Sequence, residues 1–352
     1  LEHHGIGRRR LNRIDTCELS FARRDHSLRR IANTIERCLD VRRGQFASVV
    51  EFHAFCKGES DVLIVRADFP ASSQVRDNIT IRIRGDDFFN GGRLKSSIVS
   101  TECRVPKGSG LGTSSILAAT LLAALENLRG RTPSPDQLIQ RTLLLEQRLG
   151  TGGGWQDQVG GIAPGIKSTT SAEGVPQRLQ VETLDLDDAQ VQGLQERLVV
   201  YFSGQQRLAR DILRRVMGRW LARDPALTVL MDELKAGASA LRQALLKGAW
   251  TAAARHVARY WAIKKELYPG STTPSIDVLL LEMRHHYLAA GLAGAGGGGF
   301  AYFLCRDKRQ AARLRAALQE VSSRPGSMGA VFEATINRSG LKVTRSGAAQ
   351  AG

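Results

Sequence analysis

A glycine-rich stretch with hydroxyl side chains joins a strand candidate to an apolar helix candidate. It reads Pro106-Lys-Gly-Ser-Gly-Leu-Gly-Thr-Ser-Ser. Glycines let backbone N–H groups approach an anion closely, and a helix start adds unpaired N–H groups with a partial positive charge. The stretch therefore indicates a phosphate cradle, with the hydroxyls of Thr113, Ser114 and Ser115 able to reach a phosphate or a metal. The alternative is a flexible turn followed by a serine N-cap.

The sequence has no G-x-x-x-x-G-K-[ST], which argues against a P-loop of that kind. A G-x-G-x-x-G does occur at 294–299, but it leads into the strand candidate 300–304 and does not open a helix. A dinucleotide-binding fold is therefore not indicated.

A second loop places a carboxylate among glycines. It reads Thr151-Gly-Gly-Gly-Trp-Gln-Asp-Gln-Val-Gly-Gly, and its Asp157 could orient or deprotonate an attacking hydroxyl. Glu146 stands near the end of the preceding helix candidate, and a carboxylate with a hydroxyl supplies the oxygen ligands that Mg²⁺ prefers. Taken singly, Asp157 is more simply a turn residue and Glu146 part of a solvated helix face.

A third glycine-dense loop, Gly294-Ala-Gly-Gly-Gly-Gly, exposes further backbone. Three such loops on one chain are hard to explain by structure alone. Together they favour a shared site over three unrelated turns.

The bulk composition favours a soluble, cytoplasmic protein with a generally basic surface. The 352 residues carry a formal net charge of +16, but the basic residues are scattered and aromatics make up only 6%. A nucleic-acid binder is therefore the less favoured alternative. Five cysteines without a C-x-x-C pair predict neither a disulfide framework nor a zinc site. The longest apolar run, 116–125, is far shorter than the roughly 18 residues that span a bilayer.

Periodicity predicts an α+β protein, because strands and helices are mixed without regular βαβ alternation. Residues 1–60 are interpreted as helical or irregular. Strands are predicted at 61–68, 78–84, 94–105, 198–202 and 300–304, with a closing pair at 331–336 and 340–344. Helices are predicted from Ser114 to about 129 and at 136–149, 206–220, 225–246, 250–267 and 308–322.

These motifs, in this order, resemble those of the GHMP kinases. The loop beginning at Pro106 looks like the family's phosphate-binding motif, and Leu292-Ala-Gly-Ala-Gly-Gly-Gly-Gly-Phe looks like its third motif. The run Leu145-Glu-Gln-Arg-Leu-Gly-Thr-Gly-Gly-Gly-Trp-Gln-Asp-Gln is similar to L-fucose kinases, including the kinase part of bifunctional fucokinase/GDP-fucose pyrophosphorylases. Tyr260-Trp-Ala-Ile-Lys-Lys also fits that subfamily.

The resemblance implies a role for each matching position. Asp157 would be the catalytic residue at the attacking sugar hydroxyl, and Ser114 with Glu146 would bind Mg²⁺. The ATP-binding residues would be Lys107, Gly108, Ser109, Gly110, Leu111, Gly112, Thr113 and Ser114. The sugar and transfer side would be lined by Gly153, Gly154, Gln156, Arg207, Gly296, Gly297 and Gly298.

The implied fold has a ribosomal-protein-S5-like N-terminal part and a C-terminal α+β part. The expected division is a divergent or incomplete segment at 1–90, an ATP-binding part at 91–195, a C-terminal part at 196–345 and a tail at 346–352. The implied activity is ATP-dependent phosphorylation of L-fucose at the anomeric hydroxyl, giving fucose 1-phosphate for GDP-fucose salvage. The alternatives are a heptose 7-phosphate kinase-like enzyme and a non-catalytic relative that binds sugar and ATP.

The family's first motif is not recognisable here. Residues 1–90 contain no Gly-Gly-Trp and offer only Arg66-Ala-Asp and Arg84-Gly-Asp-Asp as isolated candidates. We expect the sequence to begin inside the domain, on a mispredicted or spliced segment. The alternatives are an N-terminal region that has diverged beyond recognition and a chain that is a non-catalytic relative.

Overall fold

The computed structural model describes seven strands between residues 15 and 103, and the backbone of residues 105–106, 108–150, 153–174, 177–205 and 209–346. Side chains are described for residues 105–106, 108–150, 153–174, 177–205 and 212–343. Lys107 and Arg207 lie outside the described residues, as does most of the segment 1–90 apart from its strands.

A six-stranded sheet forms the first layer. Its members are β1 (Asp15–Glu18), β2 (Ser48–Phe52), β3 (Asp61–Ala67), β4 (Ile79–Gly85), β7 (Ile98–Cys103) and β14 (Lys342–Ser346). The order is β1-β2-β7-β4-β3-β14, with β1 and β2 parallel and the other neighbours antiparallel. A separate two-stranded ribbon joins β5 (Phe89–Asn90) and β6 (Arg93–Leu94).

Three helices pack against one another, and the first of them lies on this sheet. They are α1 (Thr113–Leu128), α2 (Pro135–Arg148) and α3 (Gln156–Ile162). The start of α2 is fixed by a capping box between Ser134 and Gln137, with Pro135 in the first turn. The helix α1 packs on β3 and β4 and against α2 and α3, since its small alanines allow close approach. The shared core contains Ala119, Ala123, Ala124, Leu128, Leu138, Ile139, Val159 and Ile162.

A four-stranded antiparallel sheet forms the second layer. Its strands are β10 (Leu198–Phe202), β11 (Ala289–Leu292), β12 (Phe300–Leu304) and β13 (Ala330–Phe332), in the order β11-β12-β10-β13. A hairpin of β8 (Lys167–Ser171) and β9 (Leu179–Thr183) precedes it. The remaining helices are α4 (Asp188–Arg197), α5 (Ala209–Leu221), α6 (Pro225–Leu246), α7 (Trp250–Leu267), α8 (Pro274–Glu282) and α9 (Lys308–Ser322).

The mixture of helices and largely antiparallel sheets confirms the α+β prediction. The observed bounds match those predicted for 198–202, 225–246, 250–267, 300–304 and 308–322. Three helices, α3, α4 and α8, were not predicted. The last two begin after a side chain that caps them, Asp187 for α4 and Thr273 for α8, whereas α3 follows Trp155 and has no side-chain cap. None of the helices in the described part of the chain combines the length and apolar character needed to cross a bilayer.

Three predictions about strands were wrong. Residues 1–60 contain β1 and β2, although their composition predicted helix or irregular structure. The single strand predicted at 94–105 is two elements, since β6 ends at Leu94 and β7 runs from Ile98 to Cys103. The segments near 331–336 and 340–344 do not pair with each other. Instead β13 pairs with β10 and β14 with β3, because each completes the edge of a different sheet.

Candidate active site

The first glycine loop forms a tight turn directly before α1. Gly108, Gly110 and Gly112 have positive φ angles of 73, 80 and 66°. Between them, Ser109 is only 1% exposed, and its hydroxyl lies 3.2 Å from the Thr113 hydroxyl. Leu111 packs against a small apolar cluster that includes Phe300. Ser109 and Leu111, which alternate with the glycines, therefore stabilise the turn through their side chains. The glycine backbone remains available to a ligand.

The start of α1 keeps its positive end free for an anion. Its N-cap is Gly112 in the left-handed region, no side chain caps the first turn, and no acidic residue lies in that turn. The serine N-cap considered from the sequence is therefore not what forms here. An uncapped helix start behind a glycine turn is suited to phosphate binding.

Asp157 lies directly against this turn. A Cβ added to Gly112 would come within 2.9 Å of both the Cβ and the Cγ atoms of Asp157. The aspartate belongs to the first turn of α3, and its side chain remains exposed to solvent. The proposed phosphate loop and the proposed catalytic carboxylate, 45 positions apart in sequence, are thus neighbours in space.

Glu146 is buried at the centre of a hydrogen-bond cluster. The Ser115 hydroxyl lies 2.9 Å from Oε1 and 3.0 Å from Oε2, and the Ser114 hydroxyl lies 3.4 Å from Oε1. The Gln158 amide Nε2 donates to Oε2. Glu146 is only 5% exposed, so it is not part of a solvated helix face. The cluster connects α1, α2 and α3 at the point where Asp157 stands.

Both carboxylates have raised pKa values. Burial raises the pKa of Glu146 above its ordinary value, and the nearby Asp157 adds to that rise, whereas the hydrogen bonds from Ser115, Ser114 and Gln158 oppose it. Desolvation by surrounding protein also raises the pKa of Asp157, and the positive charge of Lys264 counteracts it. A carboxylate with a raised pKa is a better proton acceptor than an ordinary aspartate.

The third glycine loop packs directly against the first. A Cβ on Gly110 would lie 2.6 Å from the Ala293 carbonyl oxygen, and a Cβ on Gly294 would lie 2.7 Å from the Gly110 carbonyl oxygen. The Phe300 N–H donates to the Ser109 carbonyl at 2.9 Å. Side chains at these positions would push the loops apart. Glycine is therefore required here for contact between the two sheet layers as well as for ligand access.

The remaining site candidates lie around these loops. The Gln147 amide donates to the Gly153 carbonyl at 2.7 Å, which anchors the second loop to α2. Gly154 lies beside the Gln156 side chain, and Gln156 is exposed. Gly297 donates its N–H to the Ser271 carbonyl at 2.6 Å, and Gly298 lies close to Gln205.

Two further residues enter the site without having been predicted for it. Gln158 is completely buried and binds Glu146, and Lys264 on α7 donates to backbone carbonyls of the third loop. Both lie inside the runs that resemble fucose kinases. A polar side chain at a buried position is the signal that could have identified them.

The residues proposed for Mg²⁺ fit that ion in chemical type. The Ser114 and Glu146 oxygens are 3.4 Å apart, and adjacent ligands of an octahedral cation at about 2.1 Å are separated by about 3 Å. Among the described residues, no cluster of three or more His, Cys, Asp or Glu side chains could hold a metal ion. A cation here would therefore depend on phosphate oxygens and water for its other ligands.

Comparison with known proteins identifies two domains in the chain. Residues 82–164 match the model of the GHMP kinases N terminal domain, and residues 241–323 match GHMP kinases C terminal. The chain is 40% identical over 222 residues to a bifunctional fucokinase/GDP-fucose pyrophosphorylase of Arabidopsis thaliana, a match that covers 63% of this chain and 21% of that protein. It is 34% identical over 242 residues to an L-fucokinase/L-fucose-1-P guanylyltransferase of Bacteroides fragilis, a match that covers 69% of this chain and 25% of that protein.

Solved structures show the same fold. Lactococcus lactis galactokinase complexed with galactose superposes with a TM-score of 0.58 at 15% identity, covering 81% of this chain and 95% of that one. A D-glycero-D-manno-heptose 1-phosphate kinase from Bacteroides thetaiotaomicron superposes with a TM-score of 0.54 at 16% identity. The match covers 82% of this chain and 100% of that one. The chain spans about a quarter or less of the length of the two curated relatives. With both domain models matched in order and the fold shared, the chain belongs to the GHMP kinase family.

Proposed function

We propose that this chain transfers the γ-phosphoryl group of ATP to a sugar hydroxyl, and that the sugar is L-fucose, phosphorylated at its anomeric oxygen. The observation that carries the proposal is the contact between Gly112 of the phosphate loop and Asp157. It supports the proposal because a carboxylate beside the phosphate loop could meet both an attacking hydroxyl and a bound phosphate. The names of the two curated relatives support fucose as the substrate and fucose 1-phosphate as the product.

Each part of the site has a task in this reaction. The backbone of 108–114, with Lys107, would hold the phosphates of ATP, and Ser114 with Glu146 would hold Mg²⁺. When bound, the ion would neutralise negative charge on the phosphates. Gly153, Gly154, Gln156, Arg207 and Gly296–Gly298 would line the side of the sugar.

Asp157 would orient the sugar hydroxyl and accept its proton. The hydroxyl oxygen forms the new bond to the γ-phosphorus, the bond from the γ-phosphorus to the β,γ-bridging oxygen breaks, and ADP leaves with that oxygen. The raised pKa of Asp157 suits proton acceptance, while the requirement of phosphoryl transfer is mainly positioning. The division into an ATP-binding part at 91–195 and a C-terminal part at 196–345 belongs to this proposal.

Fucose-dependent ADP release by the purified chain, with phosphorus NMR of the product, tests the proposal. We expect turnover with ATP, Mg²⁺ and L-fucose, a fucose 1-phosphate signal, and much less turnover with D-galactose or a heptose 7-phosphate. Asp157→Asn should lower kcat by about 10²–10⁴. Asp185→Asn is the matched control, because Asp185 is exposed and outside the site. No phosphorylated fucose from folded wild-type protein would overturn the proposal.

A further inference from the structure

Lys264 is a buried lysine with an unusual set of partners. It is only 9% exposed, and its ammonium group donates to the Leu292 carbonyl at 2.9 Å and to the Gly294 carbonyl. The rings of Tyr260 and Trp261 each have their centroid 5.6 Å from its Nζ atom. Lysines are rarely this buried, because removing the ammonium from water is costly.

The two carbonyls belong to the start of the third glycine loop. The α-carbon of Gly294 lies close to the Gly110 carbonyl of the phosphate loop. The Lys264 ammonium therefore binds the third glycine loop at the point where that loop contacts the phosphate loop. The other end of the third glycine loop, at Gly297, is bound by Ser271 in the turn that follows α7. The Gly297 N–H donates to the Ser271 carbonyl, and the Ser271 hydroxyl donates to the Lys264 carbonyl at 3.1 Å. Helix α7 and the turn after it therefore support both ends of the third glycine loop through hydrogen bonds.

The charge of Lys264 also interacts with the Asp157 carboxylate. Lys264 and Asp157 stabilise each other's charged forms across the site. A neutral donor could hold two carbonyls without the desolvation cost of an ammonium. A cation is worth that cost where negative charge has to be balanced, as it is beside a carboxylate and a phosphate-binding loop.

We propose that Lys264 is a positioning residue of the phosphoryl-transfer site, which fixes the third glycine loop against the phosphate loop and supplies the positive charge that faces Asp157. This inference rests on the proposed function. It assigns Lys264 a task in the reaction, beyond packing against the second sheet.

The test compares Lys264→Met, Lys264→Arg and Lys265→Met. Methionine keeps the length and suits burial, whereas arginine keeps the charge and the donors. Lys265 is the matched control, since it is the adjacent lysine, half-buried over the Trp261 ring at 5.9 Å. For each protein, kcat, KM for ATP, KM for L-fucose and Tm are measured.

We expect Lys264→Met to lower kcat by about 100-fold, as a small misplacement in a site can do, with KM for fucose changed by less than about threefold and Tm by only a few degrees. Lys264→Arg should recover at least about a tenth of the wild-type kcat, and Lys265→Met should match the wild type. The inference is overturned if Lys264→Met keeps kcat within about threefold of the wild type. It is also overturned if Lys264→Arg folds but recovers nothing.

Calorimetric titration with ATP separates failure of this inference from failure of the proposed function. If the wild type shows no fucose turnover, the proposed function fails. The positioning role then predicts that Lys264→Met binds ATP about tenfold more weakly than the wild type and Lys265→Met, because the phosphate loop loses its support. Equal ATP affinity in all three proteins would overturn it.

Discussion

The α-carbon of Gly112 lies so close to the side chain of Asp157 that a Cβ on the glycine would come within 2.9 Å of the aspartate Cβ and Cγ atoms. This contact couples the phosphate loop to the carboxylate through close packing. It also means that position 112 has two separate reasons to be glycine, the space and the φ angle of 66°.

Gly112→Ala should damage activity far more than stability. The left-handed backbone costs about 1–2 kcal/mol for a non-glycine residue, while displacement of Asp157 should lower kcat/KM by about 100-fold. Gly130→Ala is the matched control, because Gly130 has a φ angle of 70° and no atom within 4 Å of its added Cβ. Steady-state kinetics and thermal unfolding of both variants check this. Similar activity in the two would show that the contact with Asp157 does not matter.

Gln158→Leu should weaken the use of Mg²⁺ by the enzyme. The substitution removes the amide that donates to Glu146 Oε2, and loss of that hydrogen bond should raise the pKa of Glu146 further. A carboxylate that is more often protonated binds a cation less well, so the Mg²⁺ concentration for half-maximal activity should rise about tenfold.

The control for this variant is Gln140→Leu, on the exposed side of the same helix that carries Glu146. It should leave the Mg²⁺ dependence unchanged. An unaltered Mg²⁺ titration in Gln158→Leu, with Tm close to the wild type, would contradict the role assigned to the Glu146 cluster.

The activity should decline above about pH 8 because Lys264 loses its proton there. Burial lowers the pKa of Lys264 from its ordinary 10.5 to about 8, against the opposing pull of Asp157. The groups around its ammonium are the Asp157 carboxylate, the rings of Tyr260 and Trp261, and two backbone carbonyls. In Lys264→Arg the guanidinium stays charged, so the activity of this variant should decline at a higher pH than that of the wild type. Profiles of kcat/KM against pH with equal midpoints would contradict this.

Deprotonation of Lys264 does not itself destabilise the fold in the pH range of that decline. The Lys264 pKa is lower in the folded than in the unfolded chain, so the folded state binds fewer protons between about pH 8 and 10.5. The contribution of this group to the free energy of unfolding therefore increases with pH over the range in which activity is lost. Thermal unfolding at each pH separates the two effects.

The local elements and the site motifs were largely predictable. The helices 225–246, 250–267 and 308–322 have long amphipathic patterns bounded by breaks, and local periodicity settles such elements. The three glycine loops, Asp157 and Glu146 could be proposed as site residues from the sequence, because the chemistry of glycine and of a carboxylate follows from the residue type. The destinations of β13 and β14 were not predictable, since strand pairing depends on which sheet edges are open.

By itself, the sequence determined the α+β class, the order of the three glycine loops and the candidate carboxylates, because these depend on residue type and short-range spacing. Only the tertiary structure decided that Gly112 touches Asp157, that Ser115 and Gln158 enclose Glu146, and that Lys264 supports the loop at Gly294. These contacts join residues on different helices and loops. Their energies depend on burial and distance, which follow from packing of the two layers and have no local signature in the chain.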